Sequence, residues 1–241
     1  MVSCGENEVA TPKKELLIYC GITMIKPMME IKTIIEKKHN CSILITKGGS
    51  GNLLKSLKVN KIGDLYLPGS DSYIKKGQED NIITDTVFVG YNKATLMVQK
   101  GNPKNITADL NNLIKKDLLV VLGNPDSGSI GKETKKILSS KGIFDEAMQN
   151  VSILTTDSKK LFQVLKEKQA DLVINWFAIS TWEGQKEFVT AIPINEEFAK
   201  KKKLVIGLLK SSKFPTIAKD FMEFAESAKG KAIFKKYGLG E

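Results

Sequence analysis

The stretch LLIYCGITMIKPMMEIKTIIEKKHNCSILITKGGSGNLL, residues 16–54, alternates short apolar runs with amphipathic ones. Residues 16–20 and 42–46 have the length and the apolar character of buried β-strands. Between them, apolar residues recur at helical spacing over residues 28–38, and Pro27 stands near the start, where its missing N–H does little harm. A strand, a helix and a second strand in this order are typical of a βαβ unit. The stretch therefore predicts an α/β fold with a mainly parallel sheet.

The same alternation continues along the chain in two series, which are separated near a turn at residues 101–103. We expect two lobes, each a mainly parallel sheet flanked by helices, with a ligand in the cleft between them. The first lobe is expected to hold residues 15–90 and 203–241, and the second lobe residues 91–202. Residues 1–14 are polar and are expected to form an N-terminal tether.

The predicted elements extend this pattern to the C-terminus. The chain segments that cross between the lobes, near residues 90–94 and 203–207, are expected to act as hinges. The predicted strands are 16–20, 42–46, 64–68, 86–89, 94–99, 118–122, 151–154, 172–176, 188–192 and 204–208, and the predicted helices are 28–38, 52–57, 132–138, 159–168, 216–225 and 228–236.

The composition limits the partners that the protein can have. Of 241 residues, 41% are hydrophobic and 27% charged, which is ordinary for a globular chain. All 37 basic residues are lysine, and the formal net charge is +10. The lysines are scattered apart from the run 200–203, which favours a solvated surface over a nucleic-acid site. Because arginine is absent, no bidentate guanidinium clamp for a carboxylate or phosphate is available.

Catalytic and metal-binding patterns are missing from the sequence. The one histidine, His39, stands in a polar context, and the three cysteines have no metal-ligand spacing. Cys20 and Cys41 are expected to be small core residues. Asp64 and Asp71 could be read as a catalytic carboxylate pair, but no nucleophile with a base partner accompanies them. We therefore expect no enzyme activity, no cofactor and no protein-bound metal.

Four predicted strand-to-helix junctions are rich in glycine and hydroxyl residues. Helix N-termini present unpaired N–H groups and a positive dipole end, and glycine lets an anion approach them closely. The same residue types are also good N-caps, so each junction taken alone has a purely structural explanation. The Gly-rich junction lacks the spacing and the terminal lysine of a P-loop. The junctions are residues 21–23, 48–51, 123–131 and 155–158.

Several short motifs resemble the molybdate-binding periplasmic receptors of bacterial ABC importers. They are YCGITM (19–24), GSGNLL (49–54), GDLYL (63–67), GNP (123–125) and AIFKKYGL (232–239), and they occur in the same order as in that family. The resemblance implies the two-lobed fold of type II periplasmic binding proteins. It also implies a receptor for a small tetrahedral oxyanion, molybdate or tungstate. Sulfate, phosphate and a small phosphorylated or carboxylated organic acid remain open as alternatives.

The resemblance further implies which residues hold the anion. The two hydroxyl positions of the family fall on Thr23 and Ser50. The backbone-amide positions fall on Ile130, with Ser129 beside it, and near Ser158. The tyrosine position of the family falls on Trp176, which is a departure because an indole N–H has a different reach from a phenol.

Cys4 follows Met1-Val2-Ser3 and resembles the end of a lipobox, in which the cysteine becomes lipidated. An extracytoplasmic receptor, periplasmic or lipid-anchored at the outer face of the cell membrane, is therefore expected. Its implied partners are an ABC permease and ATPase, with no nucleic acid, and a monomer is expected. Two alternatives stay open: a cytosolic protein with a chance cysteine near its start, and the effector domain of a transcription regulator.

Overall fold

Residues 14–240 are described by a computed structural model, which has two five-stranded sheets with flanking helices. Cys4 and nearly all of the expected tether lie outside these residues. The strands are β1 (Glu15–Gly21), β2 (Ser42–Gly48), β3 (Leu65–Leu67), β4 (Ile83–Asn92), β5 (Ala94–Gln99), β6 (Val120–Gly123), β7 (Val151–Thr155), β8 (Leu172–Trp176), β9 (Val189–Pro193) and β10 (Lys202–Leu209). The helices are α1 (Ile25–His39), α2 (Ser50–Asn60), α3 (Asp71–Glu79), α4 (Ser129–Lys141), α5 (Phe144–Asn150), α6 (Ser158–Lys166), α7 (Pro215–Glu226) and α8 (Ala228–Lys236).

In each sheet four strands run in the same direction and one strand runs in the opposite direction. The first sheet has the order β2-β1-β3-β10-β4, in which β1 is parallel to β2 and β3, and β10 is antiparallel to both of its neighbours. The second sheet has the order β7-β6-β8-β5-β9, with β6 parallel to β7 and β8, and β5 antiparallel to both of its neighbours. The predicted α/β class is confirmed.

The chain crosses between the sheets twice. The first crossing is Lys93, between β4 and β5, and it falls inside the first predicted hinge. The second crossing runs through residues 194–201, between β9 and β10. The second predicted hinge, residues 203–207, begins just after this crossing, inside β10, where these residues pair with β3 or β4, and it stays a prediction.

Each sheet is covered by helices that bury apolar faces against it. In the first sheet, Ile31 of α1 and Phe221 of α7 are fully buried in one core, and Leu57 of α2 lies in a smaller core with Ile74 of α3. In the second sheet, Ile137 of α4 and Leu161 of α6 are among the buried residues. Within residues 14–240, no helix has both the length and the apolar character to cross a membrane.

Candidate functional site

One cavity lies where the carboxyl ends of parallel strands from both sheets meet. All six residues that the sequence singled out for ligand binding are in its wall, four of them as the first or second residue of an α-helix. Ligands of open α/β sheets bind at this edge because the loops there lead into helix N-termini. The lining residues are Gly21, Ile22, Thr23, Met24, Gly48, Gly49, Ser50, Gly69, Gly128, Ser129, Ile130, Asp157, Ser158 and Trp176.

The cavity is small and closed. Its volume is about 10 Å³, which is about the room that one water molecule needs. Thr23, Ser50 and Ser158 are each exposed by 4% or less, and Ser129 by 7%. The two lobes therefore meet closely around these hydroxyl groups.

The hydroxyls of Thr23 and Ser50 each accept a hydrogen bond from a residue in or next to the first sheet. Asn92 Nδ2 donates to Thr23 Oγ1 over 3.2 Å and to the Gly69 carbonyl oxygen over 3.2 Å. The backbone N–H of Gly69 donates to Ser50 Oγ over 3.0 Å. Because a hydroxyl has one hydrogen to donate, an oxygen that already accepts a bond can still donate to a ligand. For Thr23 the competing acceptor is Met24 Sδ, at 2.9 Å, and a thioether is a weak acceptor.

On the second lobe, Trp176 supports Ser129. The indole Nε1–H donates to Ser129 Oγ over 3.3 Å, and Trp176 is 1% exposed. Its N–H is thus directed at the serine, and the serine hydroxyl hydrogen remains available to donate. In this conformation Trp176 orients a neighbouring donor, whereas the sequence had suggested a direct donor to the ligand.

The N-terminus of α6 is fixed by Asp157, which lies in one of the predicted junctions, and by Asn175, which the sequence did not single out. Asp157 is the N-cap, and its Oδ1 accepts from the backbone N–H groups of Lys159 and Lys160. Asn175 is fully buried, and its Nδ2 donates to the Ser158 carbonyl oxygen over 3.0 Å. These bonds hold Ser158 at the cavity wall.

Glycine occupies the N-cap of the helical segments that face the cavity from β1, β2 and β6. Gly21, Gly49 and Gly128 provide no side-chain cap to the segments that follow them. By contrast, Ser70 and Asp109 cap helical segments elsewhere with their side chains. Uncapped N–H groups at a helix start favour an anion, because the helix dipole is positive there.

Glycines also bring the two lobes into close contact. A Cβ atom on Gly49 would stand 2.5 Å from the Ser127 carbonyl oxygen and 2.7 Å from that of Thr156. A Cβ atom on Gly69 would stand 2.3 Å from Ser129 Oγ. The backbone N–H of Asn52 donates across the cleft to the Ser127 oxygen over 3.1 Å. A side chain at residue 49 would therefore hold the lobes apart, and one at residue 69 would require the Ser129 hydroxyl to move.

Formal charge is nearly absent from the cavity wall. Asp157 is the one charged residue among the lining residues within 14–240, and its carboxylate is engaged as a cap. Tyr66 is fully buried and donates its hydroxyl to the Ser50 carbonyl oxygen over 2.7 Å; burial raises the pKa of this phenol well above its usual value. The Tyr66 phenol that supports Ser50 is therefore neutral at physiological pH.

The two carboxylates considered as a catalytic pair are separately engaged. Asp64 accepts from the Leu17 backbone N–H over 2.8 Å and from Ser212 Oγ over 2.7 Å, which joins β1 to the loop before α7. Asp71 lies 3.7 Å from Lys75 on the first turn of α3. Across residues 14–240, no group of three or more His, Cys, Asp and Glu side chains is placed to hold a metal ion.

The whole described chain is similar to known binding proteins. Residues 16–240 match the family model for bacterial extracellular solute-binding proteins. A binding protein of Haemophilus influenzae is 24% identical over 225 residues, which cover 93% of this chain and 90% of the relative. YvgL of Bacillus subtilis, named as an ABC transporter substrate-binding lipoprotein, is 23% identical over 249 residues, which cover 99% of this chain and 92% of the relative.

Solved structures share the fold at low sequence identity. The sulfate-binding protein SubI from Mycobacterium tuberculosis has a TM-score of 0.81 at 13% identity, over 94% of this chain and 86% of that one. The periplasmic molybdate-binding protein of Azotobacter vinelandii has a TM-score of 0.78 at 14% identity, over 94% and 99%. PEB3 from Campylobacter jejuni, with L-phospholactate bound, has a TM-score of 0.74 at 19% identity, over 94% and 99%. These likenesses establish the two-lobed fold.

Proposed function

Because this chain belongs to the family of bacterial extracellular solute-binding proteins, we propose that its solute is a small tetrahedral oxyanion, molybdate or tungstate. Its relatives bind solutes for ABC transporters and are not enzymes. The general function is therefore to capture a small ligand for delivery to a permease and an ATPase. We propose that Thr23, Ser50, Ser129, Ile130, Ser158 and Trp176 form the site. The lobe boundaries, a lipid anchor on Cys4 and a monomeric state are parts of the same proposal.

The observation that carries the proposal is the chemistry of the cavity wall. Hydroxyls and glycine-capped helix starts surround the cavity, and no lysine within residues 14–240 lines it. A fully deprotonated oxyanion offers only acceptors, so neutral donors satisfy it without a counter-charge. In a site that excludes water, such hydrogen bonds are stronger than in solvent.

The residues around the cavity hold its hydroxyl groups in place as donors. Asn92, the Gly69 N–H and Trp176 each donate to a hydroxyl oxygen at the cavity, which leaves the hydroxyl hydrogens of Thr23, Ser50 and Ser129 for a ligand. Donors held in place before binding lose little conformational freedom when a ligand arrives. Separation of molybdate from sulfate would then depend on the size of the cavity.

A phosphorylated small acid is the second candidate. PEB3, whose solved structure contains L-phospholactate, shares the fold over 94% of this chain. A phosphate group would use the same donors. The cavity has to widen for any tetrahedral anion, and the organic part would need still more room. Lobes that close less far would provide that room.

The test is isothermal titration of ligand-stripped protein with molybdate, tungstate, sulfate, phosphate and phospholactate. We expect saturable heat for molybdate or tungstate. Thr23→Ala and Ser50→Ala are each expected to weaken binding about 10- to 100-fold, since a hydrogen bond to a charged group contributes about 1.5–3 kcal/mol.

Thr33→Ala and Ser140→Ala are matched controls, because these exposed hydroxyls only donate to the backbone of their own helices. Both are expected to bind like the unsubstituted protein. Heat from phospholactate alone would move the assignment to organic acids. The absence of binding heat with every anion would contradict the oxyanion site.

A further inference from the structure

A lysine-lined groove runs along the mouth of the cleft. It has a volume of about 710 Å³ and lies between α3, α4 and the chain leading into β10. Its lysines are Lys75 of α3, Lys132, Lys135 and Lys136 of α4, and the run 200–203. The lysines come from both lobes, so the groove forms only when α3 and α4 face each other.

The groove has a large excess of positive charge. Eight lysines line it, together with only two carboxylates, Asp71 and Glu133. Both carboxylates already have a partner, since Asp71 lies 3.7 Å from Lys75 and Glu133 lies 3.0 Å from Lys202. Lys136 and Lys200 are exposed, and their ammonium groups are free to attract an anion from solution.

The groove and the candidate anion site share one lining residue. Ser129 lines both the groove and the closed cavity. An anion that enters between the lobes beside Ser129 therefore passes the lysines before it reaches the neutral donors. The charged lysines are thus at the entrance, and the neutral hydroxyl donors are inside the cavity.

We propose that the groove is an electrostatic capture site, which collects the dianion and passes it to the cavity. This inference rests on the proposed oxyanion function. Positively charged clefts raise the local concentration of an anionic ligand and its association rate by about 10- to 1,000-fold, and salt screens the effect. Lysine suits a transient site because its ammonium is flexible and strongly hydrated, whereas an arginine fork would hold the anion bidentately.

Stopped-flow kinetics with molybdate, tungstate and sulfate test the proposal at low and high ionic strength. The variant Lys136→Glu/Lys200→Glu reverses one charge on α4 and one on the chain before β10. We expect its association rate constant at low salt to fall about tenfold or more, with the dissociation rate constant changed less than about twofold. At roughly 1 M salt the difference in association rate is expected to vanish, since the screening length is then about 3 Å.

Lys115→Glu/Lys116→Glu is the matched control, because it changes the net charge equally at exposed lysines before β6, at the end of that strand opposite the cavity. Its association rate constant is expected to stay within about twofold of the unsubstituted protein. Equal rate losses in both variants, or a loss confined to dissociation, would overturn the capture site while leaving the oxyanion function intact. Failure of the unsubstituted protein to bind any of the three anions would overturn both.

Discussion

Asn92 is the residue that connects the crossing strand to the candidate site. It ends β4, one residue before the chain passes to the second sheet, and it is fully buried. Its Nδ2 donates to Thr23 Oγ1 and to the Gly69 carbonyl oxygen, while its Oδ1 has no hydrogen-bond partner within residues 14–240. An unsatisfied buried acceptor is costly, and such costs concentrate at functional sites. Asn92 therefore acts as a positioning residue for the Thr23 hydroxyl.

Replacing Asn92 with alanine is expected to weaken oxyanion binding about tenfold. The loss should arise through Thr23, so Thr23→Ala/Asn92→Ala is expected to bind about as weakly as Thr23→Ala alone. Titration of the three variants measures this coupling, and thermal unfolding separates it from lost stability. Additive losses in the double variant would show that Asn92 acts independently of Thr23.

The hydroxyl residues of the site were predictable from sequence, but their supporting residues were not. Thr23, Ser50 and Ser158 directly precede or begin a helix after a parallel strand, and such positions gather at one edge of a sheet. Asn92 and Asn175 carry no comparable local signal, because their partners are distant in sequence. Whether the predicted residues bind the anion stays a prediction.

At the scale of elements, α1 and α7 are joined by a small charged cluster. The Asp220 carboxylate of α7 lies 2.5 Å from Lys38 Nζ and 2.7 Å from His39 Nε2, at the C-terminal end of α1. Hydrogen bonds from Lys38 and then from His39 lower the pKa of Asp220 below its usual value. The cationic Lys38 near the C-terminus of α1 also matches the negative end of the helix dipole.

Because its pKa is lowered in the folded state, the contribution of Asp220 to the stability of the fold depends on the pH. The group stabilises the fold above its unfolded pKa of roughly 3.9, and this contribution is lost as the pH falls through the lower folded value. At neutral pH, Asp220→Asn is therefore expected to lower the free energy of unfolding by up to about 1 kcal/mol, the value for a partly exposed pair. The difference between the variant and the parent should disappear at acidic pH.

Chemical denaturation from neutral pH to below the folded pKa measures this gap. Asp117→Asn removes an exposed carboxylate that makes no ion pair with any residue in 14–240, and it should follow the parent at every pH. A constant gap for Asp220→Asn across the range would contradict the titration of this cluster as its cause.

Two helices were missed in the sequence because their patterns are weak. Helix α3 contains Gly77 and four charged residues among nine, and buries only Tyr73 and Ile74 as large side chains. Helix α5 has seven residues and buries only Ala147. Longer elements such as α1 were predicted closely because apolar residues repeat at helical spacing over several turns.

At the scale of the whole molecule, the closed conformation depends on glycine at residue 49. Its φ of −67° is accessible to alanine, so Gly49→Ala should fold normally. The added carbon would stand 2.5 Å from the Ser127 oxygen of the opposite lobe. We expect more than tenfold weaker binding with little change in Tm, because the clash exists only when the lobes close.

Small-angle X-ray scattering with and without ligand tests this expectation. The parent should contract on binding, whereas Gly49→Ala should keep a larger radius of gyration. Gly51→Ala should have a smaller effect, since its added carbon would lie 3.0 Å from the Asp126 oxygen. Full contraction of the Gly49→Ala protein would show that the lobes accommodate the extra carbon.

The arrangement of the lobes was predictable only in part. The alternation of strands and helices indicated two α/β units, but not that residues 200–203 would face α4 across a groove. A lysine run has the same sequence pattern on a solvated surface as in a charged cleft. The apolar run 204–208 was predicted as a strand, but its insertion between β3 and β4 has no signal in the local sequence.

The position of β10 sets the order in which the sheets can be completed on the ribosome. All strands of the second sheet have been synthesised by Pro193, so that lobe can assemble while the rest of the chain is still being made. The first sheet must keep a place open between β3 and β4 until Leu209 emerges, and its core also needs Phe221 and Phe234. During synthesis the first-made strands are therefore the last to be buried, and they need protection from aggregation for the longest time.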